Sequence, residues 1–236
     1  MRLSSPLWVA DLGTMPYRPC WTLQHRLLEG RAQGRVGDLL LLVEHPPVIT
    51  LGRRGTLDDV RVPLEALSIQ GVEVIPVDRG GQATFHGPGQ LVGYPIIHLR
   101  ERGLGPVAFV RLLEEALITA LQRLGIGATR RPGLTGVWVG EEKVCAIGLR
   151  VSRAITMHGF ALNVSTDLSW FSAIVPCGMP DAGVTSIVKV LGRPVDMGEV
   201  KALVARSLAE HLGAFLEWLP RQQVERLVGT PVPATP

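Results

Sequence analysis

Cys177 has the surroundings expected of a reactive thiol. It stands between Pro176 and Gly178, just after a short apolar stretch. Proline fixes its own backbone angle and glycine permits a tight turn, so the pattern predicts a rigid loop with an accessible sulfur. Such a thiol becomes a nucleophile when a nearby cation or a helix N-terminus stabilises its thiolate. A cysteine that only fills a turn is the alternative on these residues alone.

Residues 78–90 form a second segment of unusual composition, between two apolar runs. Glycines at positions 80, 81, 87 and 89 allow its backbone to approach a ligand closely. Arg79 can offer paired donors to an anionic or carbonyl group, and His86 can transfer a proton near neutral pH. The segment matches neither a Walker loop nor a dinucleotide-binding loop, so nucleotide binding gains little support. We predict a ligand-binding loop, with an ordinary surface loop as the alternative.

Lys143 opens an apolar run in a chain that otherwise relies on arginine. Only three of its 24 basic residues are lysines. A lysine, unlike an arginine, can change its protonation state when it is desolvated. Lys143 and His86 are therefore both candidates to activate Cys177. The alternative for Lys143 is a lysine at a strand end that extends its amine into water.

The other cysteines and histidines fit structural roles. Cys145 lies in the middle of an apolar run and is predicted to be a core residue, and Cys20 has no glycine-rich segment near it. His158 lies on a predicted strand, where a histidine is more often structural than a ligand. The histidines and acidic residues show no tight ligand spacing, so no metal is expected.

Composition argues against several classes of protein. The three cysteines form no CxxC pair, which speaks against a disulfide framework or zinc knuckle and favours a reducing compartment, the cytoplasm. The net charge of +3 comes without a dense Lys/Arg run, so no nucleic-acid partner is expected, although a mildly basic surface can help to dock an acidic protein. The N-terminus does not resemble a signal peptide, and the apolar runs are too short to cross a bilayer, so no membrane partner is expected.

Hydrophobic periodicity and turn residues predict the elements that position these residues. Strands outnumber helices and come in consecutive groups, which favours an α+β fold with a mixed, largely antiparallel sheet packed with helices. We expect one domain over residues 1–219 and a Pro-rich C-terminal extension, 220–236, that is disordered at its end. Strands are predicted at residues 7–12, 38–44, 48–51, 72–77, 91–99, 136–139, 143–149 and 154–163. Helices are predicted from Pro16, over 63–69, over 105–124 with Val107 on its apolar stripe, and over 196–212 with Asp196 as N-cap; 169–174 is ambiguous, and 184–191 is either strand or helix.

The chemical segments together resemble one family, the lipoyl(octanoyl) transferases. Residues 79–94 read RGGQATFHGPGQLVGY, which is similar to the family's signature. Its later motifs are matched in order by KVCAIG at 143–148, GFALN at 159–163, PCG at 176–178 and GVTS at 183–186. The resemblance covers roughly residues 7 to 215.

The resemblance implies a fold related to the biotin and lipoate protein ligases and a function in the first step of protein lipoylation. Octanoyl would pass from acyl carrier protein to a lysine on lipoyl domains, those of 2-oxoacid dehydrogenase E2 subunits and of the glycine cleavage H protein. Cys177 would be the nucleophile of a ping-pong mechanism and Lys143 its activator, in a monomer that needs no cofactor and no metal. The acyl site would be lined by Arg79, Gly80, Gly81, Gln82, Ala83, Thr84, Phe85, His86, Ala146, Ile147, Gly148, Gly159, Phe160 and Ala161.

Three rival functions fit parts of the same sequence. An ATP-dependent lipoate or biotin protein ligase would share the fold but would form an acyl-adenylate and would have no need of Cys177. A Cys-His thioesterase would use His86 as its base and water as the acceptor. A carrier-binding module without catalysis would leave Cys177 unreactive.

Overall fold

The computed structural model describes residues 5–175 and 183–229. Met1 to Ser4, 176–182 and 230–236 lie outside the described residues. The strands are β1 (Pro6–Thr14), β2 (Leu39–Glu44), β3 (Val48–Leu51), β4 (Glu73–Pro76), β5 (Ala83–His86), β6 (Gln90–Ile96), β7 (Thr129–Arg131), β8 (Leu134–Val139), β9 (Glu142–Ser152), β10 (Ile155–Asn163) and β11 (Phe215–Trp218). The helices are α1 (Tyr17–Ala32), α2 (Leu64–Ile69), α3 (Pro106–Arg123), α4 (Ile187–Leu191), α5 (Met197–His211) and α6 (Arg221–Leu227).

A large mixed sheet forms the centre of the molecule. Its strand order is β11-β1-β2-β6-β10-β9-β8-β7. The pairings of β1 with β11 and with β2 are parallel, and the others in this sheet are antiparallel. Long antiparallel strands joined by short turns account for the run from β8 to β10. The predicted α+β fold with a largely antiparallel mixed sheet is confirmed.

The central strands are apolar on both faces because helices cover both faces. In β2, Leu40 and Leu42 belong to the core under α3 and α5, whereas Leu39, Leu41 and Val43 belong to the core under α1. Side chains alternate between the two faces of a strand, so a strand between two layers needs an uninterrupted apolar run. This explains why the run at 38–44 shows no polar alternation.

A small second sheet holds the segment that carries the signature motif. Its order is β4-β3-β5, with β3 parallel to β4 and antiparallel to β5. Its own core contains Ile49, Leu51, Ala83 and Phe85, and Ile174 closes it. Residues 83–86 are therefore a strand, which corrects the expectation that 78–90 is loop throughout.

Several other elements differ from the sequence-based prediction. Val107 is 75% exposed, so it does not lie on the buried stripe of α3. Residues 184–191, predicted as either strand or helix, contain helix α4. Residues 169–174, which were ambiguous, fall in a 3₁₀ turn over Leu168–Ala173. The short strands β7 and β11 were not predicted. Asp196 is the N-cap of α5 as predicted, since its Oδ2 accepts a hydrogen bond from Glu199 N at 2.8 Å.

The chain continues as packed structure beyond Leu219. Helix α6 begins at Arg221, and its Val224 is fully buried in the core under α1. Arg221 Nη1 also donates to Leu12 O at 3.2 Å. The described part of the expected extension is thus a helix on the main body. Across residues 5–175 and 183–229, no helix combines the length and apolar character needed to cross a membrane.

Candidate active site

An inner slot opens between the small sheet, the start of α1 and strands β9 and β10. Most of the residues expected to line an acyl site border it: Arg79, Gly80, Gly81, Thr84, His86, Ala146, Ile147, Gly148, Gly159, Phe160 and Ala161. Tyr17, Val92, Tyr94 and His158 complete its described lining. Apolar side chains therefore share the walls with a group of buried polar ones.

Ala83 and Phe85 point away from the slot, contrary to expectation. Successive side chains of β5 face opposite sides, so Thr84 and His86 border the slot while Ala83 and Phe85 enter the core of the small sheet. Phe85 stacks on Trp170 there, with ring centroids 5.3 Å apart. These two residues are removed from the candidate acyl site.

A wider outer groove of about 510 Å³ adjoins the slot and contains Lys143. Gly80, Gly81, Ile147 and Gly148 border both spaces. Gln82, also expected at the acyl site, lies in the outer groove. The outer groove and the inner slot therefore lie side by side, with these four residues between them.

Glycines allow the walls of the slot to approach one another. A Cβ on Gly148 would lie 2.8 Å from Gly80 O. One on Gly159 would lie 1.9 Å from Gly93 O, and one on Gly93 would lie 2.1 Å from the Phe160 ring. A real Cβ atom essentially never lies within 3.0 Å of such a neighbour, so a side chain at any of these positions would force the neighbouring atoms to shift.

Arg79 fastens the signature segment to β3. It is nearly buried, and its Nη2 donates to Thr50 O at 2.7 Å and to Thr50 Oγ1 at 2.9 Å. Its Nη1 donates to Gly80 O at 3.1 Å. Gly80 N in turn donates to Leu149 O of β9 at 2.9 Å. These hydrogen bonds hold the backbone at Arg79 and Gly80 between β3 of the small sheet and β9 of the large sheet.

Hydrogen bonds fix the tautomer of His86. Gln90 Nε2 donates to Phe85 O at 3.2 Å and to Asn163 Oδ1 at 2.9 Å, so Gln90 Oε1 remains to accept from His86 Nδ1 at 2.8 Å. Nε2 of His86 then carries the lone pair. Burial, with added repulsion from His45 and Arg79, holds the pKa of His86 well below its usual value, so the ring is neutral.

A stack of aromatic and imidazole rings lies behind His86. Tyr17 stacks on His86 with centroids 5.8 Å apart, and His45 lies 5.9 Å from His86. His45 Nδ1 donates to Met15 O at 2.6 Å, and its Nε2 accepts from Tyr94 OH at 2.8 Å. Burial lowers the pKa of His45 to about 4 and raises that of Tyr17. These rings are therefore uncharged near neutral pH, whereas Arg79 brings a cation to the lining of the slot.

His158 occupies the most unusual backbone position of this site. It lies inside β10 with φ of +58°, a left-handed value that non-glycine residues rarely adopt. Its Nε2 donates to Asp78 Oδ1 at 2.7 Å, which leaves Nδ1 to accept from Tyr17 OH at 3.4 Å. Burial lowers its pKa although Asp78 opposes the shift, and the hydrogen bond from His158 in turn lowers the pKa of Asp78.

The sequence did not indicate all of these residues. Asp78 directly precedes the signature motif and Tyr94 ends it, so adjacency could have suggested them. Tyr17 and His45 carry no local signal, because packing alone brings Tyr17 to the slot and His45 behind His86.

Lys143 is the second residue of β9, and its backbone pairs with the chain just after position 182. Its backbone N donates to Gly183 O at 2.9 Å, and its carbonyl accepts from Thr185 N at 3.0 Å. Its Nζ lies 4.8 Å from the centroid of the Trp138 ring. Within the described residues, this amine makes no hydrogen bond and no ion pair.

Two of the three cysteines can be compared with expectation. Cys145 and Cys20 are both fully buried, and burial raises the pKa of each thiol, to about 12 for Cys20. The prediction that Cys145 is a core residue is confirmed. Cys177 lies outside the described residues.

Comparison with known proteins identifies the family. A model of the lipoyl protein ligase A/B catalytic domain matches residues 16–209. The octanoyltransferase of Roseiflexus sp. (strain RS-1) is 48% identical over 217 residues, which cover 91% of this chain and 89% of that protein. The octanoyltransferase of Mycobacterium leprae (strain Br4923) is 49% identical over 219 residues, which cover 89% of this chain and 91% of that protein.

A solved structure shows the same fold. In work on an archaeal lipoylation system, the bipartite lipoate protein ligase of Thermoplasma acidophilum was described with its E2 lipoyl domain. One of its chains matches with a TM-score of 0.72 at 20% identity, over 95% of this chain and 91% of that one. The expected biotin/lipoate protein ligase-like fold is confirmed. With its motifs, fold and relatives in agreement, this chain belongs to the lipoyl protein ligase A/B catalytic domain family and, within it, to the octanoyltransferases.

Proposed function

We propose that this octanoyltransferase carries its acyl group as a thioester on Cys177, with Lys143 as the activating group. The observation that carries the proposal is the backbone pairing of Lys143 with Gly183 and Thr185, because it ties the lysine to the chain just after the segment that contains Cys177. The other two cysteines are buried with raised pKa values, which makes them unsuitable nucleophiles.

The reaction needs two acyl transfers. The Cys177 thiolate attacks the carbonyl carbon of the donor thioester, a new thioester forms, and the donor thiolate leaves and takes up a proton. The amine of the acceptor lysine then attacks the acyl-enzyme, an amide forms and the Cys177 sulfur is released. Lys143 as ammonium stabilises the thiolate, and as neutral amine it can accept the proton of the incoming lysine.

The inner slot is the proposed binding site of the octanoyl chain. Val92, Ile147 and Phe160 supply apolar wall, and glycines leave the space between them narrow. Each CH₂ that leaves water contributes about 0.8 kcal/mol, so the number of carbons that fit determines which acyl group is favoured. Tyr17 and His86 are neutral, so these two rings can contact the acyl chain without adding a buried charge.

We propose octanoyl-acyl carrier protein as donor and lipoyl domains of E2 subunits and of the H protein as acceptors. The family membership supports this choice, and so does the archaeal structural relative that was studied with an E2 lipoyl domain. We also propose that the protein acts as a monomer in the cytoplasm, where a nucleophilic thiol stays reduced. Size-exclusion chromatography with light scattering tests the monomer.

Trapping the acyl-enzyme tests the proposed mechanism. Incubation with octanoyl-acyl carrier protein should add one octanoyl group to the intact mass, and peptide mapping should place it on Cys177. Cys177→Ser should abolish transfer to a lipoyl domain, whereas Cys20→Ala should keep the adduct. Transfer that survives Cys177→Ser and requires ATP would instead indicate an adenylating ligase. Release of octanoate without an acceptor, at the rate of transfer, would indicate a thioesterase.

A further inference from the structure

The aromatic ring beside Lys143 belongs to a residue with no assigned role. Trp138 in β8 is the direct cross-strand partner of Lys143 in β9, next to a register shift at Val137. The Lys143 Nζ lies 4.8 Å from the centroid of this ring, within the range of a cation–π interaction. Trp138 is fully buried, so neighbouring side chains fix the orientation of the ring.

The acidic residues near Lys143 are occupied by other cations. Glu142 Oε1 accepts from Lys189 Nζ at 2.8 Å. Glu141 pairs with Arg131 of β7, and the guanidinium of Arg131 lies 5.1 Å from the centroid of the Trp138 ring. Lys143 therefore meets the ring from β9 without a carboxylate partner among the described residues. A carboxylate there would neutralise the ammonium on which the thiolate depends.

Strand β8 is shaped to leave room for the lysine side chain. Gly136 has φ of +123°, and a Cβ there would lie 2.6 Å from Cys145 O and 3.5 Å from Lys143 Cε. The fully buried carboxylate of Glu114 accepts from Gly136 N at 3.0 Å and holds this bend in place. The path of the Lys143 side chain over Trp138 is thus built into two strands and α3.

We propose that Trp138 is a positioning residue whose ring holds the Lys143 ammonium in the outer groove. The contact itself stands on the geometry of β8 and β9, whereas its consequence for catalysis rests on the proposed role of Lys143. A cation over an aromatic face keeps its charge and remains accessible from the other side, so Lys143 can serve a thiolate and still exchange a proton. An alkyl side chain at position 138 has no aromatic face and would not hold the Lys143 ammonium in this orientation.

Lysine NMR tests the contact directly, because the chain has only three lysines. In protein labelled with ¹³Cε-lysine, the Lys143 signal, assigned by its loss in Lys143→Gln, should be shifted upfield by the Trp138 ring current. Trp138→Leu should remove the shift and Trp138→Phe should keep part of it, while the signal of Lys201, which pairs with Asp11, stays in place. A wild-type Lys143 signal at the position of a solvated lysine would overturn the proposal, whatever the Trp138 variants show.

Kinetics test the consequence. Trp138→Leu should lower kcat for octanoyl transfer about tenfold with KM nearly unchanged, and Trp138→Phe should restore most of the loss. Trp218→Leu, at a half-exposed tryptophan on β11, is the matched control and should transfer at the wild-type rate.

If NMR shows the contact in wild type but folded Trp138→Leu keeps the wild-type kcat, Trp138 is not a positioning residue. If Lys143→Ala transfers normally, the proposed mechanism fails, whatever the spectra show. Should Trp138→Leu not fold, the Phe variant and the wild-type spectrum decide.

Discussion

Single residues at the slot combine burial with neutrality. His45, His86 and His158 are each at most 5% exposed, and all three have pKa values below the ordinary histidine value. Each ring donates through one nitrogen to an oxygen, and two of them accept from a tyrosine through the other. Such pairing stabilises the neutral form, because a second proton would break a hydrogen bond as well as bury a charge.

These histidines make the stability of the fold depend on pH. The ordinary pKa of 6.5 applies to the unfolded chain, while burial lowers that of His45 to about 4. The free energy of unfolding should therefore be highest above pH 6.5, where these histidines are neutral in both states. It should fall as the pH drops toward 4, by up to about 1.4 kcal/mol per pH unit for each histidine. Urea unfolding between pH 7.5 and 4.5, an interval of about three units, measures this slope.

His45→Gln isolates one residue of the three. The variant should be less stable at pH 7, because Gln does not reproduce both hydrogen bonds. As the pH drops, its stability should fall less steeply than that of wild type, because unfolding takes up about one proton fewer. His211→Gln is the matched control at an exposed histidine far from this group and should keep the wild-type slope. Equal slopes for His45→Gln and wild type would mean that His45 takes up its proton at the same pH in the folded and in the unfolded protein.

Local sequence was informative where neighbours decide the environment of a residue. Apolar neighbours were enough to place Cys145 in the core, and an N-cap residue before an amphipathic run was enough to start α5 at Met197. Tyr17 and His158 could not be recognised in this way. Their meeting depends on how α1 packs on β10, and the left-handed backbone at His158 has no glycine to announce it.

At the scale of elements, the signature segment is part loop and part strand. Its glycines suggested a loop, but β5 pairs with β3 from Ala83 to His86 and alternates between core and slot. A strand of four residues is too short for alternation to stand out from its glycine-rich surroundings. The part before it, 79–82, crosses to the large sheet and contacts β9 at Gly80.

Gly148→Ala tests this contact between loop and strand. The added methyl would meet Gly80 O at 2.8 Å, so the segment from Arg79 to Gly81 must shift away from β9. Because both spaces of the site share these residues, kcat/KM for octanoyl transfer should fall tenfold or more, in line with the roughly 10²-fold cost of an ångström of misplacement. Steady-state kinetics with a lipoyl-domain acceptor measure the loss.

Gly127→Ala is the control for Gly148→Ala. No atom lies within 4 Å of a Cβ at Gly127, which also lacks a positive φ, so its kinetics and melting temperature should match wild type. Wild-type kcat/KM in a folded Gly148→Ala would show that the slot tolerates a displaced signature segment. The packing account of Gly148 would then be wrong.

On the scale of the whole molecule, the large sheet has helices on both faces, and its parallel edge is completed late in the chain. Strand β11 pairs with β1, and α6 packs next to α1. Strand β1, at the start of the chain, and β11 and α6, at its end, thus lie together at one edge of the large sheet. Periodicity did not reveal this, because β11 has four residues and α6 has seven, too few for a repeating apolar pattern to stand out. The sequence boundary at 219 therefore falls inside packed structure.

Truncation tests whether α6 belongs to the folding unit. Ending the chain after Leu219 removes Val224 and the bond from Arg221 to Leu12, and it uncovers apolar side chains of α1 and β1. We expect a loss of several kcal/mol and a melting temperature lower by about 10 °C, since 1 kcal/mol shifts Tm by about 2–4 °C at this size. Ending the chain after Gly229 retains α6 and should leave Tm unchanged. Because α6 supplies no described residue to the groove or the slot, transfer at low temperature should survive both truncations. Equal melting temperatures for the two truncated chains would make α6 an appendage of a domain that ends at 219.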